Sequence, residues 1–189
     1  MSIPATHSSA FDTHQSLSLA QIFRSFSLEV ASFFAITLSI LIFFLAPEIT
    51  SNDAGELAAA AYELGIAHPP GFPVFMFIEN IFMNAVGLGE FGFRANLGSA
   101  VMAALALTMA FWIVRTRGVG KPIAWAGGLF TLFSPLFTVH AVTVEVYASA
   151  ALIVLISVEC LLRYVETGDQ RYAFVLAIIL GLGGLAHHP

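Results

Sequence analysis

Charged side chains make up only 10% of this 189-residue chain, and cysteine occurs once. A soluble domain of that length needs far more polar surface to face water, so the scarcity of charge excludes an ordinary soluble fold. The formal net charge of -5 leaves no basic patch, which argues against nucleic acid as a partner. The lone cysteine, Cys160, lies inside an apolar run, so no intrachain disulfide can form and the side chain reads as packing. What the chain has instead is hydrophobic side chains, 58% of the total, with a mean hydropathy of +0.88. The class this dictates is an all-α, polytopic transmembrane helix bundle. At roughly 20 residues per crossing the length accommodates about five spans and little else.

Residues 1–28, rich in Ser, Thr, His and Gln, are expected to form a mobile cytoplasmic tail, with His7 and His14 solvated. Residues 29–189 then form the transmembrane domain. A first span runs from Val30 to Pro47, longer than a signal-peptide core and without a clear cleavage site. Further spans are expected from Ala95 to Val114, Pro122 to about Val139, Val144 to Leu162 and Tyr172 to Ala186. An external loop, 48–93, separates the first two. The chain stops at His187-His188-Pro189 straight after an apolar segment, as expected of the N-terminal portion of a longer protein.

Within that loop, Phe72 to Val86 is apolar but short, and Glu79, Asn80 and Asn84 would be costly at the bilayer centre. Orientation arbitrates. If this segment does not cross, Arg24, Arg115, Arg117, Lys121, Arg163 and Arg171 all fall on one side, with only Arg94 opposite. If it crosses, Arg115, Arg117 and Lys121 move away from Arg24. The positive-inside rule therefore favours a re-entrant or surface-lying helix and a cytoplasmic N-terminus. Asp53, Glu56, Glu63, His68, Glu90, Arg94, His140, Glu145, His187 and His188 then gather at the non-cytoplasmic ends of the helices, where a membrane-embedded active site would lie.

The densest polar stretch is Asp53-Ala-Gly-Glu56 through His68-Pro-Pro-Gly71. Asp53, Glu56, Ala60 and Glu63 share one helical face and Leu57, Ala61 and Leu64 the other, the pattern of a short interfacial helix that Gly65 would end as its C′ residue. Asp-x-x-Glu is also a capping box, in which Asp53 would satisfy the first amides and Glu56 would reach back. Pro69 holds His68 extended and Pro70-Gly71 favours a turn, placing the imidazole on a constrained loop. Glu145 opens a span, where a carboxylate suits the helix dipole. Arg94 sits at the start of one, where a cation does not, so a bound anion or a carboxylate such as Glu90 should accompany it. His140, near Pro135 in a bent or ending span, reads as an interface histidine. These Asp, Glu and His side chains are chemically competent for a divalent metal, but no compact ligand spacing appears.

Together, a first span, Asp53-Ala-Gly-Glu56-Leu57, Leu64-Gly-Ile-Ala-His68-Pro-Pro-Gly-Phe-Pro73, Arg94-Ala-Asn96, Glu145-Val-Tyr147 and a later Gly-Leu-Ala-His187-His188 resemble a family of bacterial membrane proteins related to protein O-mannosyltransferases. These belong to the GT-C superfamily of glycosyltransferases that use lipid-linked sugars. The similarity runs from about Val30 to Pro189. It implies a GT-C-like bundle in a bacterial inner membrane that transfers a sugar, typically mannose, from a polyprenyl phosphate carrier to a hydroxyl acceptor, such as a protein Ser or Thr, outside the cytoplasm. It also implies that Asp53 is the catalytic base with Glu56 beside it. His68, Arg94, His187 and His188 become the residues for the phosphate side, and Glu145 a substrate-side residue. Two other classes fit the same residues: a proton-coupled transporter, which would place its acids near the midplane, and a non-catalytic assembly subunit.

Overall fold

The computed structural model describes residues 19–50, 53–69 and 71–184, and among these it is built from helices alone. In chain order they are α1 (Leu19–Phe43), α2 (Ala54–Glu63), α3 (Pro73–Ala85), α4 (Phe91–Thr116), α5 (Lys121–Leu132), α6 (Pro135–Ala141), α7 (Tyr147–Thr167) and α8 (Gln170–Gly184). α4 is the centre, packed by α1, α3, α5 and α7. Its sequence explains why. Ala95, Gly98, Ser99, Ala100, Ala103, Ala104 and Ala106 are all buried on it, and such small side chains let neighbouring backbones approach closely. Large rings fill the wider gaps. Phe33 of α1 stacks on Phe111 at 4.2 Å and meets Trp125 edge-on at 5.1 Å, against Gly128, where a Cβ would collide with the Phe33 ring. Phe43 and Phe130, 82% and 83% exposed, point outward on surfaces that suit lipid.

Among the described residues, three helices, or four when the α5–α6 pair counts as one, are long and apolar enough to cross a membrane, where the sequence leads one to expect about five. α8 is apolar, and its 15 described residues make about 22 Å of helix. The stretch expected as one span from Pro122 to Val139 is bent by 68° between Leu132 and Pro135. Pro135 has no N–H to continue the ladder, and the Thr138 hydroxyl donates instead to the Leu132 carbonyl at 2.6 Å. α1 begins at Leu19, inside the segment assigned to the tail, and α7 runs Tyr147–Thr167 rather than Val144–Leu162.

Ion pairs mark one end of the bundle. Arg115 at the end of α4 binds Glu29 of α1 at 2.9 Å, while Arg117 and Arg163 bind Glu159 of α7 at 2.7 and 2.8 Å. Glu159 and Arg163 stand one turn apart on α7, and Arg117, just past the end of α4, joins the pair. At the opposite end the loop after α1 lies against the start of α4, and α3 packs alongside the first half of α4. Asn80 and Asn84 of α3 find backbone partners there. Asn80 donates to the Ala61 and Tyr62 carbonyls at the end of α2, both at 2.9 Å, and Asn84 to Asn80.

On α2, Ala54, Leu57, Ala58 and Ala61 are buried while Glu56 and Glu63 face out, as the periodicity predicts. Its C-terminus differs. Leu64, not Gly65, takes the left-handed conformation (φ 51°), and the Gly65 amide bonds the Ala60 carbonyl at 2.7 Å in a Schellman arrangement. Leu64 is consequently exposed, off the apolar stripe.

Candidate active site

Asn96, fully buried near the start of α4, builds the frame of the site. Its amide nitrogen donates to the carbonyls of Ala46 and Glu48 at 2.8 and 3.0 Å, and its oxygen accepts the Val144 amide at 2.9 Å. Both donors and the acceptor are therefore used, each on a backbone group that no helix satisfies. One side chain thus ties the loop after α1 to the loop before α7. The Ala46 amide bonds the Val142 carbonyl at 3.2 Å beside it, and Gly92 lets α4 touch Glu48 and Ile49, whose backbone a Cβ would meet at 2.7 Å. One turn on, Ser99 accepts the Glu145 amide at 3.2 Å.

These loops carry two of the predicted acids, Asp53 and Glu145, to the same place. Asp53 is exposed and makes no side-chain capping bond, so the expected capping box does not form. Its carboxylate is left to act on its surroundings. Burial raises the pKa of the Glu145 carboxyl, His140 opposes that rise, and the negative charge of Asp53 adds to it. Glu145 precedes α7 rather than occupying its first turn, so it faces Asp53 and His140 instead of capping a helix.

Glu56 turns the other way. One oxygen accepts the His68 amide at 2.6 Å and the other meets His68 Nδ1 at 3.1 Å, and these bonds hold its carboxyl below the usual carboxylate range. Both oxygens of Glu56 are thereby engaged by the loop. The His-Pro-Pro-Gly turn is also pinned by Phe72, whose ring meets the imidazole edge-on at 5.4 Å. Phe72 begins α3 in the left-handed region at φ 45° and is buried. Glycine there would relieve about 1–2 kcal/mol of backbone strain. Losing the buried ring costs about 3–5 kcal/mol, so the ring wins. Phe72→Gly should lower stability by about 2 kcal/mol, measured by thermal unfolding of the full-length protein in detergent.

Arg94 has a different neighbour from those expected. Its guanidinium donates to the Met83 carbonyl at 2.7 Å, in the last turn of α3, where the negative end of that helix's dipole offsets the poor match with α4's own N-terminus. Its Nε is buried without a partner, and no carboxylate pairs with it among the described residues. His187 and His188 lie outside the described residues. Among those residues, no three His, Cys, Asp or Glu side chains are grouped to hold a metal ion.

Three contributors were not among the predicted site residues. Asn96 and Ser99 are a polar pair one turn apart in a run of small residues, and that was the available signal. The third, His140, was read as an interface histidine. Its ring meets that of Tyr147 at 4.8 Å, its Nδ1 is buried without a hydrogen bond, and it acts on Glu145. His140, Tyr147, Ser134 and Thr131 are the polar lining of an otherwise apolar cavity of about 500 Å³ at the α5–α6 break. The site thus joins an exposed carboxylate, Asp53, and a half-buried one, Glu145, to a largely apolar hollow, a combination suited to an amphiphilic substrate.

The family described as the protein O-mannosyl-transferase TMEM260 N-terminal domain matches residues 53–189. The mouse protein named protein O-mannosyl-transferase TMEM260 is 31% identical over 147 residues, covering 77% of this chain and 21% of its own. The Dictyostelium discoideum protein of the same name is 32% identical over 109 residues, 54% of this chain and 13% of its own. The chain thus spans about a fifth or less of the length of these relatives. No solved structure matches. The match begins at Asp53 and takes in both the acidic loop and the α4–α7 frame, and on that extent the chain belongs to the protein O-mannosyl-transferase TMEM260 N-terminal domain family.

Proposed function

We propose that this chain is the part of a membrane mannosyltransferase that carries its acidic loop, and that the whole enzyme transfers mannose from a polyprenyl phosphate carrier to a protein Ser or Thr hydroxyl on the non-cytoplasmic side. The observation that carries the reading is Asp53, an exposed carboxylate with no capping duty, set beside Glu145 near a cavity lined by His140 and Tyr147. A hydroxyl is a poor nucleophile until a positioned base takes its proton. In the proposed step the acceptor oxygen attacks the anomeric carbon and the bond from that carbon to the phosphate oxygen breaks. The electron pair leaves with the phosphate, and the hydroxyl proton passes to Asp53.

Glu56, in this scheme, acts indirectly by holding the His68 loop, and His68 faces the phosphate from that loop. Arg94, with one terminal nitrogen on the Met83 carbonyl, is assigned its other terminal nitrogen for a phosphate oxygen. His187 and His188 are assigned to the same side, and Glu145 to the sugar. A transporter would place its acids near the middle of the bundle, whereas Asp53, Glu56 and Glu145 stand at one end.

Full-length protein supplied with polyprenyl phosphate mannose and a Ser/Thr peptide should form mannosyl peptide; folded protein that forms none would overturn the activity. Sidedness has its own test. Cysteines placed at Gly118 and Thr167 should resist a membrane-impermeant thiol reagent in intact cells, while one at Gly89 reacts. Labelling at Gly118 would reverse the orientation.

A further inference from the structure

Glu79 of α3 is the one acid in the apolar Phe72–Val86 stretch, and it is fully buried. One carboxyl oxygen accepts the Ser99 hydroxyl of α4 at 2.9 Å, and the other has no partner. The contact is close because Gly98 has no side chain; a Cβ there would run into the carboxyl group. Ser99 in turn accepts the Glu145 amide at 3.2 Å. A continuous chain of bonds therefore leads from the middle of α3, across α4, to the residue that faces Asp53 and His140.

The geometry points to Glu79 as a positioning residue: its buried carboxyl orients the Ser99 hydroxyl, which fixes the Glu145 backbone and so sets the Glu145 side chain in the site. Ser99 has a single proton. When that proton is given to Glu79, the oxygen lone pairs are aimed at the Glu145 amide; without Glu79 the hydroxyl can turn its proton toward the Glu145 carbonyl, 3.5 Å away. An apolar residue at position 79 would pack as well, but it would leave Ser99 free to rotate.

Among the described residues no cation opposes Glu79. Arg94 of α4 is directed to Met83, Glu56 of α2 to His68, and Glu145 responds to His140 and Asp53, while Glu63 of α2 is exposed. Burial accordingly pushes the Glu79 carboxyl up from 4.5 to about 8, with the Ser99 bond opposing, so the neutral form predominates below that pH. Glutamine reproduces that neutral form.

The role of Glu79 rests on the transferase reading only for its catalytic consequence. In full-length protein, Glu79→Ala should lower kcat by about a hundredfold with little change in KM for polyprenyl phosphate mannose, because misplacing a site residue by about 1 Å is that costly. Glu79→Gln should restore kcat to near the wild-type value. The wild type should lose activity above about pH 8 as the buried carboxyl ionises, and Glu79→Gln should lack that alkaline limb. Hydrogen exchange of the 142–147 segment supplies a readout without turnover. Glu79→Ala and Ser99→Ala should both speed exchange of the Glu145 amide, and Glu79→Gln should not. Equal kcat losses in the Gln and Ala variants, or unchanged Glu145 exchange in Ser99→Ala, would overturn the role. Absence of mannosyl transfer by folded wild-type protein would overturn the proposed activity instead, and the exchange result would still decide Glu79.

Discussion

Asp53→Asn in the full-length protein should reduce kcat by about 10²- to 10⁴-fold, the range a positioned general base contributes. The substitution keeps shape and removes only the ability to take a proton. The fold has little to lose, because the Asp53 side chain is exposed and caps no helix. Thermal unfolding should therefore stay within about 0.5 kcal/mol of wild type, as for surface substitutions away from special features. A second consequence is local. Asp53 helps to raise the Glu145 pKa, so the neutral amide should let that pKa fall, and a pH profile governed by Glu145 would move toward acid. Full turnover by Asp53→Asn, measured at saturating polyprenyl phosphate mannose and acceptor, would remove Asp53 from the role of base.

Asn96→Ala should be the most damaging single change to the frame, at about 2–4 kcal/mol. The estimate is built from three lost bonds of unequal weight. The Val144 amide belongs to a fully buried residue and would be stranded at about 1–3 kcal/mol. The Ala46 and Glu48 carbonyls lie nearer the surface, where water can replace part of what is lost. The space left beneath two loops adds to the cost. Asn96→Asp should not rescue: it keeps an acceptor for Val144 but turns oxygen toward two carbonyl oxygens. Because the same side chain holds the loops leading to Asp53 and Glu145, activity should fall with stability. Thermal unfolding in detergent tests the first part, and an unchanged transition in Asn96→Ala would show that the loops are held by other contacts.

Much of the fold was legible because composition and period act locally. The membrane class followed from sparse charge, and the burial of Leu57 and Ala61 against exposed Glu56 and Glu63 followed from a 3.6-residue repeat. Local rules misled where a tertiary partner outcompeted a local one. The Asp53–Glu56 spacing fits a capping box, yet Glu56 binds His68, 12 residues away. Gly65 looked like the helix stop, yet Leu64 took the left-handed position. The bend at Pro135, by contrast, was legible, because a proline within an apolar run removes a ladder hydrogen bond, and the structure bends there by 68°.

By itself the sequence determined that this protein is a helical membrane bundle with an acidic, proline-constrained loop, because hydrophobicity and backbone stereochemistry are properties of neighbouring residues. Only the tertiary structure decided which polar groups meet. Asn96 reaches partners 48 and 50 residues away, and Ser99 joins Glu79 to Glu145 across 20 and 46 positions. Such bonds form because burial leaves a backbone amide, a carbonyl or a carboxyl without water, and whichever side chain the packing of α4 brings within 3 Å must satisfy it. That choice is made by the crossing of helices far apart in the chain, and no local pattern records it.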